Sequence, residues 1–235
     1  MTRILVTYTS NSGTPSEVAK AIMEEIQRFD AQVELLPIDE VRGLASYSNV
    51  FLGAPMILGW HRTAMQFLHK NKKAFTKVPL AVFVTCMSLT KTGETSFDAV
   101  PLSVDPNLPR PPHNATHLTF KERYSRVSNR IGPIFHACQV QPVSLGVFGG
   151  QLNFCWSTWC WPLGPRLPSP ISPYLEAHNS ETMSNFSRLQ WWAMIFVVLV
   201  LQIPAGDRRN WKVIRDWAVN LPALFTNAAS ERKFS

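Results

Sequence analysis

Apolar positions along the chain fall alternately into short runs and helical stripes. Ile4-Leu5-Val6-Thr7-Tyr8 is a compact β-rich run. A stripe of three- and four-residue steps follows it, Val18, Ala19, Ile22, Met23 and Ile26, which marks one buried helix face. Between the two lies Thr9-Ser10-Asn11-Ser12-Gly13-Thr14, made only of hydroxyls, one amide and one glycine. Pro15 then suits a first helical turn, where its missing N–H costs nothing. Val33-Glu34-Leu35-Leu36 predicts a second strand. Residues 49–54 and 80–85 predict a third and a fourth, both charge-free, as strands covered on two faces are. Residues 143–148 predict a fifth. A helix is expected from Arg62 to Asn71. A second, long helix is expected from Thr119, because Thr119 and Glu122 form a capping-box pattern and Tyr124, Val127, Ile131, Ile134 and Phe135 keep helical spacing. A last one starts near Asn210, with Trp211, Ile214, Trp217 and Leu221 on one face. Residues 93–118 hold five prolines and read as loop.

Strands alternating with helices predict an α/β fold, a doubly wound, five-stranded parallel sheet with helices on both faces. In such a sheet the ligand lies at the carboxyl ends of the strands. Apolar residues are 46% of the 235, enough for one sizeable core, and residues 1–235 read as a single domain. One stretch breaks the pattern. Residues 155–186 have neither period, and Asn153-Phe154 recurs as Asn185-Phe186, so the stretch reads as an irregular insertion after the fifth strand. Residues 191–203 form the most apolar run. The charge-free span between Arg188 and Asp207 is 18 residues, short of the roughly 20 a spanning helix needs. It reads as a buried or partly covered helix. The alternative is peripheral membrane contact through 189–204, beside basic flanks.

The net charge is +7, and it is uneven: residues 1–45 carry seven acids against four bases, and all of the excess base lies beyond them. A basic surface attracts anions, yet no interleaved basic and aromatic pattern of a nucleic-acid module is present. Pairs such as Arg208-Arg209 read as a solvated face. Cys155 and Cys160 are not a CxxC pair and no matching ligands accompany them, so no metal site is expected. There is no GxGxxG and no Gly-Lys-Ser/Thr phosphate loop. Met1-Thr2-Arg3 runs straight into a strand without a secretory pattern, which places the chain in the cytoplasm, with attachment to the inner face of a membrane as the variant.

The chain resembles the flavodoxin-like family in three places. Tyr8 to Thr14 with Glu17-Val18-Ala19 looks like the phosphate loop of that family. Leu52-Gly53-Ala54-Pro55-Met56 with Trp60-His61 looks like the loop lying against the flavin ring. Phe148-Gly149-Gly150-Gln151-Leu152 and Gly206-Asp207-Arg208-Arg209-Asn210-Trp211 resemble a flavodoxin-domain branch related to menaquinone-dependent protoporphyrinogen IX oxidase. The resemblance implies the strand order 2-1-3-4-5 and non-covalent FMN. Thr9, Ser10, Asn11, Ser12, Gly13 and Thr14 would then hold the phosphate through hydroxyls and main-chain amides. Pro15 departs from the pattern by removing a donor, which Thr14 or Ser16 would have to replace. Pro55, Met56, Ile57, Leu58, Gly59 and Trp60 would offer apolar and aromatic surface to the isoalloxazine. Thr85, Cys86, Met87 and Ser88 would meet its other side, with Gly149 and Gly150 close by.

No side chain is assigned as catalytic, since the flavin carries the redox chemistry. His61 reads as a helix cap or a surface histidine, Cys86 as a small buried residue, and Asp207 and Asn210 as caps of the last helix. The function implied is an FMN-dependent oxidoreductase moving electrons from a small-molecule substrate, protoporphyrinogen IX by resemblance, to a quinone. The alternative is a flavodoxin-type carrier for a redox protein partner. A homo-oligomer stays open.

Overall fold

In the computed structural model, β1 (Arg3–Tyr8), β2 (Gln32–Pro37), β3 (Asn49–Pro55), β4 (Leu80–Cys86) and β9 (Ser144–Gly149) lie side by side, all parallel, in the order β2-β1-β3-β4-β9. The structure describes residues 3–10, 13–29, 31–56, 60–114, 116–152 and 206–231. The expected insertion at 155–186 and the apolar run at 191–203 lie outside the described residues.

A side-chain period of two divides each strand between two cores. Leu5, Val50, Leu52, Val82, Val84, Leu145 and Val147 pack with α2 (Arg62–Phe75) and α4 (Val127–Cys138). Ile4, Val6, Phe51, Ala81, Phe83 and Phe148 pack with α1 (Thr14–Gln27) and α5 (Trp211–Glu231). Trp217 of α5 centres the second core. Its ring stands edge-on to Phe51, Phe83 and Phe148, with centroids 6.3, 6.4 and 5.4 Å away. Its indole N–H donates to Ser144 Oγ at 3.0 Å, which satisfies a buried donor. Gly53 makes room for this cluster, since a Cβ there would lie 1.9 Å from the Phe83 ring. The last helix thus docks by an aromatic plug rather than by its stripe alone. Trp211, expected on the buried face, is 36% exposed.

Two expectations are corrected. The sheet has seven strands, not five: β7 (Val100–Val104) runs parallel beside β9, and β6 (Ser96–Phe97) pairs antiparallel with β7. Both come from the proline-rich stretch read as loop. Val100 is buried and Leu102 and Val104 pack partly against the first core, so tertiary pairing to a strand later in the chain overrides a weak local signal. The single helix expected from Thr119 is two, α3 (Phe120–Tyr124) and α4. The capping box at Thr119 and Glu122 is present. The break falls at Ser125 and Arg126 because outside partners take the groups that would continue the helix. The Ser125 carbonyl accepts the Thr90 N–H at 3.0 Å. The Val127 N–H and the Ser128 hydroxyl donate to Glu94 at 3.1 and 2.5 Å.

Candidate functional site

The turn from Thr9 to Thr14 leaves the carboxyl end of β1 and enters α1. Gly13 is the N-cap, at φ 80° and ψ −25°, a left-handed conformation that glycine adopts without steric cost. No side chain among the described residues caps α1, and an uncapped helix start is suited to an anion. Ser10 Oγ accepts the Gly13 N–H at 2.8 Å and so shapes the turn. The Thr9 N–H donates to the Gly53 carbonyl at 3.0 Å, and its hydroxyl lies 3.3 Å from His61 Nδ1. Pro15 stands in the first helical turn as expected. The two hydroxyls that would replace its lost donor are engaged with carbonyls: Thr14 donates to Gln151 at 3.3 Å and Ser16 to Gly13 at 2.6 Å. Asn11 and Ser12 lie outside the described residues.

The ring loop begins where β3 ends at Pro55. The Met56 N–H donates to the Thr85 carbonyl at 2.8 Å, and Met56 forms an antiparallel bridge with Trp60. Met56 and Trp60 are only 1% and 4% exposed. Trp60 stands edge-on to Phe135 with centroids 6.1 Å apart. The apolar and aromatic surface expected of these two residues is therefore turned into the first core, where Trp60 meets Phe135. The buried Trp60 Nε1 has no acceptor among the described residues. Ile57, Leu58 and Gly59 lie outside them.

Of the two readings of His61, the structure shows the helix cap: its Nδ1 accepts the Thr63 N–H at 3.3 Å at the start of α2. With Nδ1 accepting, the neutral ring carries its proton on Nε2. Burial holds its pKa below the ordinary histidine value, against the pull of Asp39.

On the other side, Thr85 and Cys86 end β4 and are buried, while Met87 and Ser88 are half-buried. Burial pushes the Cys86 thiol up to about 12, so it is a packed thiol and not a redox thiolate. Gly149 ends β9, one residue past the expected fifth strand, and with Gly150 it leads to a returning segment. The chain leaves along β10 (Gln151–Leu152) and comes back along β11 (Gly206–Asp207), antiparallel to it. A Cβ on Gly149 would lie 1.8 Å from the Arg208 carbonyl oxygen, so only glycine admits this approach.

Three hydrogen bonds tie the segments together. The Gly150 N–H donates to the Cys86 carbonyl at 2.8 Å, the Arg208 N–H to the Gly150 carbonyl at 3.1 Å, and Arg208 Nη1 to the Met87 carbonyl at 3.0 Å.

Arg208 and Arg209 are the residues that sequence reasoning missed as part of the site. Read as a solvated pair, they are structural instead. The Arg209 side chain is 7% exposed. It pairs with Glu17 in the first turn of α1 and with Asp207 at 2.6 Å, and its guanidinium lies 4.7 Å over the Trp211 ring. Asp207 does not cap α5 as expected. Desolvation would raise its carboxyl, but hydrogen bonds from Arg209 outweigh it and hold the group below the usual carboxylate range. Asn210 does cap α5, its Oδ1 accepting the Val213 N–H at 3.4 Å. The signal was the position of both arginines within a segment already matched to the family. A concavity of about 270 Å³ lined by Pro101, Ser144, Trp217 and Asn220 lies at the amino ends of β7 and β9. It is at the opposite end of the sheet from these loops.

The model of the flavodoxin domain matches residues 5–154, and the chain belongs to that family. Its cofactor is FMN and its chemistry electron transfer. No curated protein sequence matches the chain. Among solved structures it is similar to flavodoxin 1 from Bacillus cereus (16% identity over 64% of this chain and 85% of that one, TM-score 0.36). It is also similar to two-electron reduced Megasphaera elsdenii flavodoxin (15% identity, 39% and 70% covered, TM-score 0.35). A third is the rubredoxin oxygen:oxidoreductase of Desulfovibrio gigas (14% identity, 35% of this chain, TM-score 0.33), of which only 23% is covered. At these values they add nothing to the family assignment.

The described residues fit FMN. Gly13 and an uncapped α1 suit the phosphate. Gly149 admits the backbone of the returning segment beside the 85–88 loop, and the buried Trp60 Nε1, next to the ring loop in sequence, has no acceptor among the described residues. When bound, the flavin accepts and releases electrons. The chain's own part would be to hold the phosphate end at α1, while the Gly150 and Arg208 bonds fix the Cys86 and Met87 carbonyls.

Proposed function

We propose that the chain is an FMN-dependent oxidoreductase that takes electrons and protons from a reduced organic substrate and passes them to a quinone. Protoporphyrinogen IX is the substrate this reading favours, and menaquinone the acceptor. In each two-electron step the substrate loses two hydrogens and the quinone gains two as the quinol. The observation that carries this reading is charge: the chain is +7 overall, with its basic excess entirely beyond residue 45, and a basic surface suits the carboxylates of a porphyrin. On this reading the protein works in the cytoplasm, in contact with the inner face of a membrane. No helix among the described residues is long and apolar enough to cross one. The expected membrane contact at 189–204 lies outside the described residues.

Family membership supports a second reading equally, a carrier that hands electrons to a redox protein partner. The two separate in one experiment on the FMN-loaded protein. Protoporphyrinogen IX is mixed with it anaerobically, and porphyrin fluorescence is followed with and without a menaquinone analogue. Quinone-dependent growth of fluorescence is expected. Reduced protein that ignores quinone but is rapidly reoxidised by a redox protein establishes the carrier instead.

A further inference from the structure

Phe120 has 82% of its surface exposed, more than any other large apolar side chain among the described residues. It opens α3, and its ring lies nearly parallel to that of Tyr124, with centroids 6.4 Å apart and planes 13° apart. The Arg130 guanidinium covers the Tyr124 ring at 5.1 Å. Basic residues lie on the elements next to this pair: Arg123 is in α3, its Nε donating to the Leu118 carbonyl at 3.2 Å, and Lys91, whose N–H donates to the Arg110 carbonyl at 2.8 Å, follows the strand Leu89–Thr90 that packs against α3. Lys91, Arg110 and Arg123 are exposed and Arg130 is half-buried, and none forms an ion pair with a described residue.

Nearby acids are otherwise engaged. Glu122 is folded into the capping box, where it accepts the Thr119 N–H at 2.8 Å and the His113 N–H at 2.6 Å. Glu94 caps α4 and pairs with Arg126 at 3.7 Å. The lobe is firmly built: β5 (Leu89–Thr90) pairs with β8 (Pro109–Arg110), and Thr90 Oγ1 donates to the Glu122 carbonyl at 2.8 Å. Its first strand begins directly after Ser88, where the expected ring loop ends.

We propose that this lobe docks on an anionic lipid surface, with Phe120 entering the interfacial layer and Lys91, Arg110, Arg123 and Arg130 meeting the headgroups. An exposed aromatic tip on a lobe that carries several cations suits a membrane interface, where the apolar ring finds hydrocarbon and the charges find phosphate. A protein-docking anchor sits instead within an apolar collar that excludes water, and no such collar surrounds Phe120 among the described residues. Docking by this lobe brings the 85–88 loop to the lipid surface; that bearing on quinone reduction rests on the function proposed above, whereas docking itself needs no flavin.

The test is co-sedimentation of the full chain, without FMN, with phosphatidylcholine vesicles prepared with or without phosphatidylglycerol. The wild-type protein is expected to bind only the anionic vesicles and to be released by salt. F120S and R123E each lower that binding about tenfold, or at least the roughly fivefold expected of one basic group at an anionic surface, with the melting temperature retained. Wild-type protein that ignores anionic vesicles, or binds both kinds alike, overturns the proposal. So does unchanged binding by both variants. Failure of FMN to bind leaves this result untouched, so the two readings fail separately.

Discussion

The Arg208 guanidinium donates to the Met87 carbonyl at 3.0 Å, joining positions 121 residues apart in the chain. Through it the returning segment fixes the Met87–Ser88 peptide. The Arg208 N–H holds Gly150, and Gly150 holds Cys86. The loop expected to meet the flavin ring is thus anchored by a segment beyond residues 5–154.

Replacing Arg208 by Met removes that anchor. A hydrogen bond from a charged donor contributes about 1.5–3 kcal/mol, so FMN affinity, read by quenching of flavin fluorescence, falls about tenfold or more. R208K recovers part of it, because the ammonium keeps a donor and a charge but not the planar fork. Equal affinity in R208M and wild type defeats the assignment.

Gly149 and Gly150 are expected to behave differently although they are neighbours. A Cβ at 149 meets backbone at 1.8 Å, whereas one at 150 finds its nearest atoms at 3.5 Å. G149A must displace residues 206–210 and costs about 1–3 kcal/mol or more in denaturant unfolding. G150A stays within about 1 kcal/mol.

Trp217 anchors α5 to the sheet, so W217A costs about 3–5 kcal/mol. S144A costs less, about 1–3 kcal/mol, by leaving the buried indole N–H without an acceptor. Thermal melts of both variants check the order; a costlier S144A contradicts it.

His61 confers a pH dependence with a defined sign. Its folded pKa lies below the value of 6.5 it has when exposed, so the folded state binds fewer protons than the unfolded one between the two. Its stabilising contribution is complete above about pH 6.5 and is lost as pH falls through the folded value. Protonation also removes the Nδ1 acceptor from Thr63. Asn is a good N-cap that does not titrate. In H61N the melting temperature therefore loses this part of its decline below about pH 6.5, and a decline identical to wild type shows that another group is responsible.

The parallel core was legible because Ile4 to Tyr8 and residues 49–54 and 80–85 are runs that only a doubly covered strand explains. The turn between β1 and α1 was legible because hydroxyls and one glycine stand between such a run and a helical stripe. β7 was hidden, since Pro101 and the surrounding prolines mask a strand whose partner, β9, comes later in the chain. Trp60 was read as ring surface because sequence says that an indole is present but not which way it faces. Its contact with Phe135 decides that.

By itself, the order of residues determined the alternation of strand and helix, the two-sided burial of the central strands and the character of the turn after Tyr8. Each depends on neighbours within a few positions, where period and residue type act directly. Only the folded chain decided that Glu94 and Thr90 split a helix, that β7 and β6 widen the sheet and that Arg208 reaches Met87. Those outcomes depend on which distant group takes a given N–H or carbonyl, and no local pattern encodes that competition.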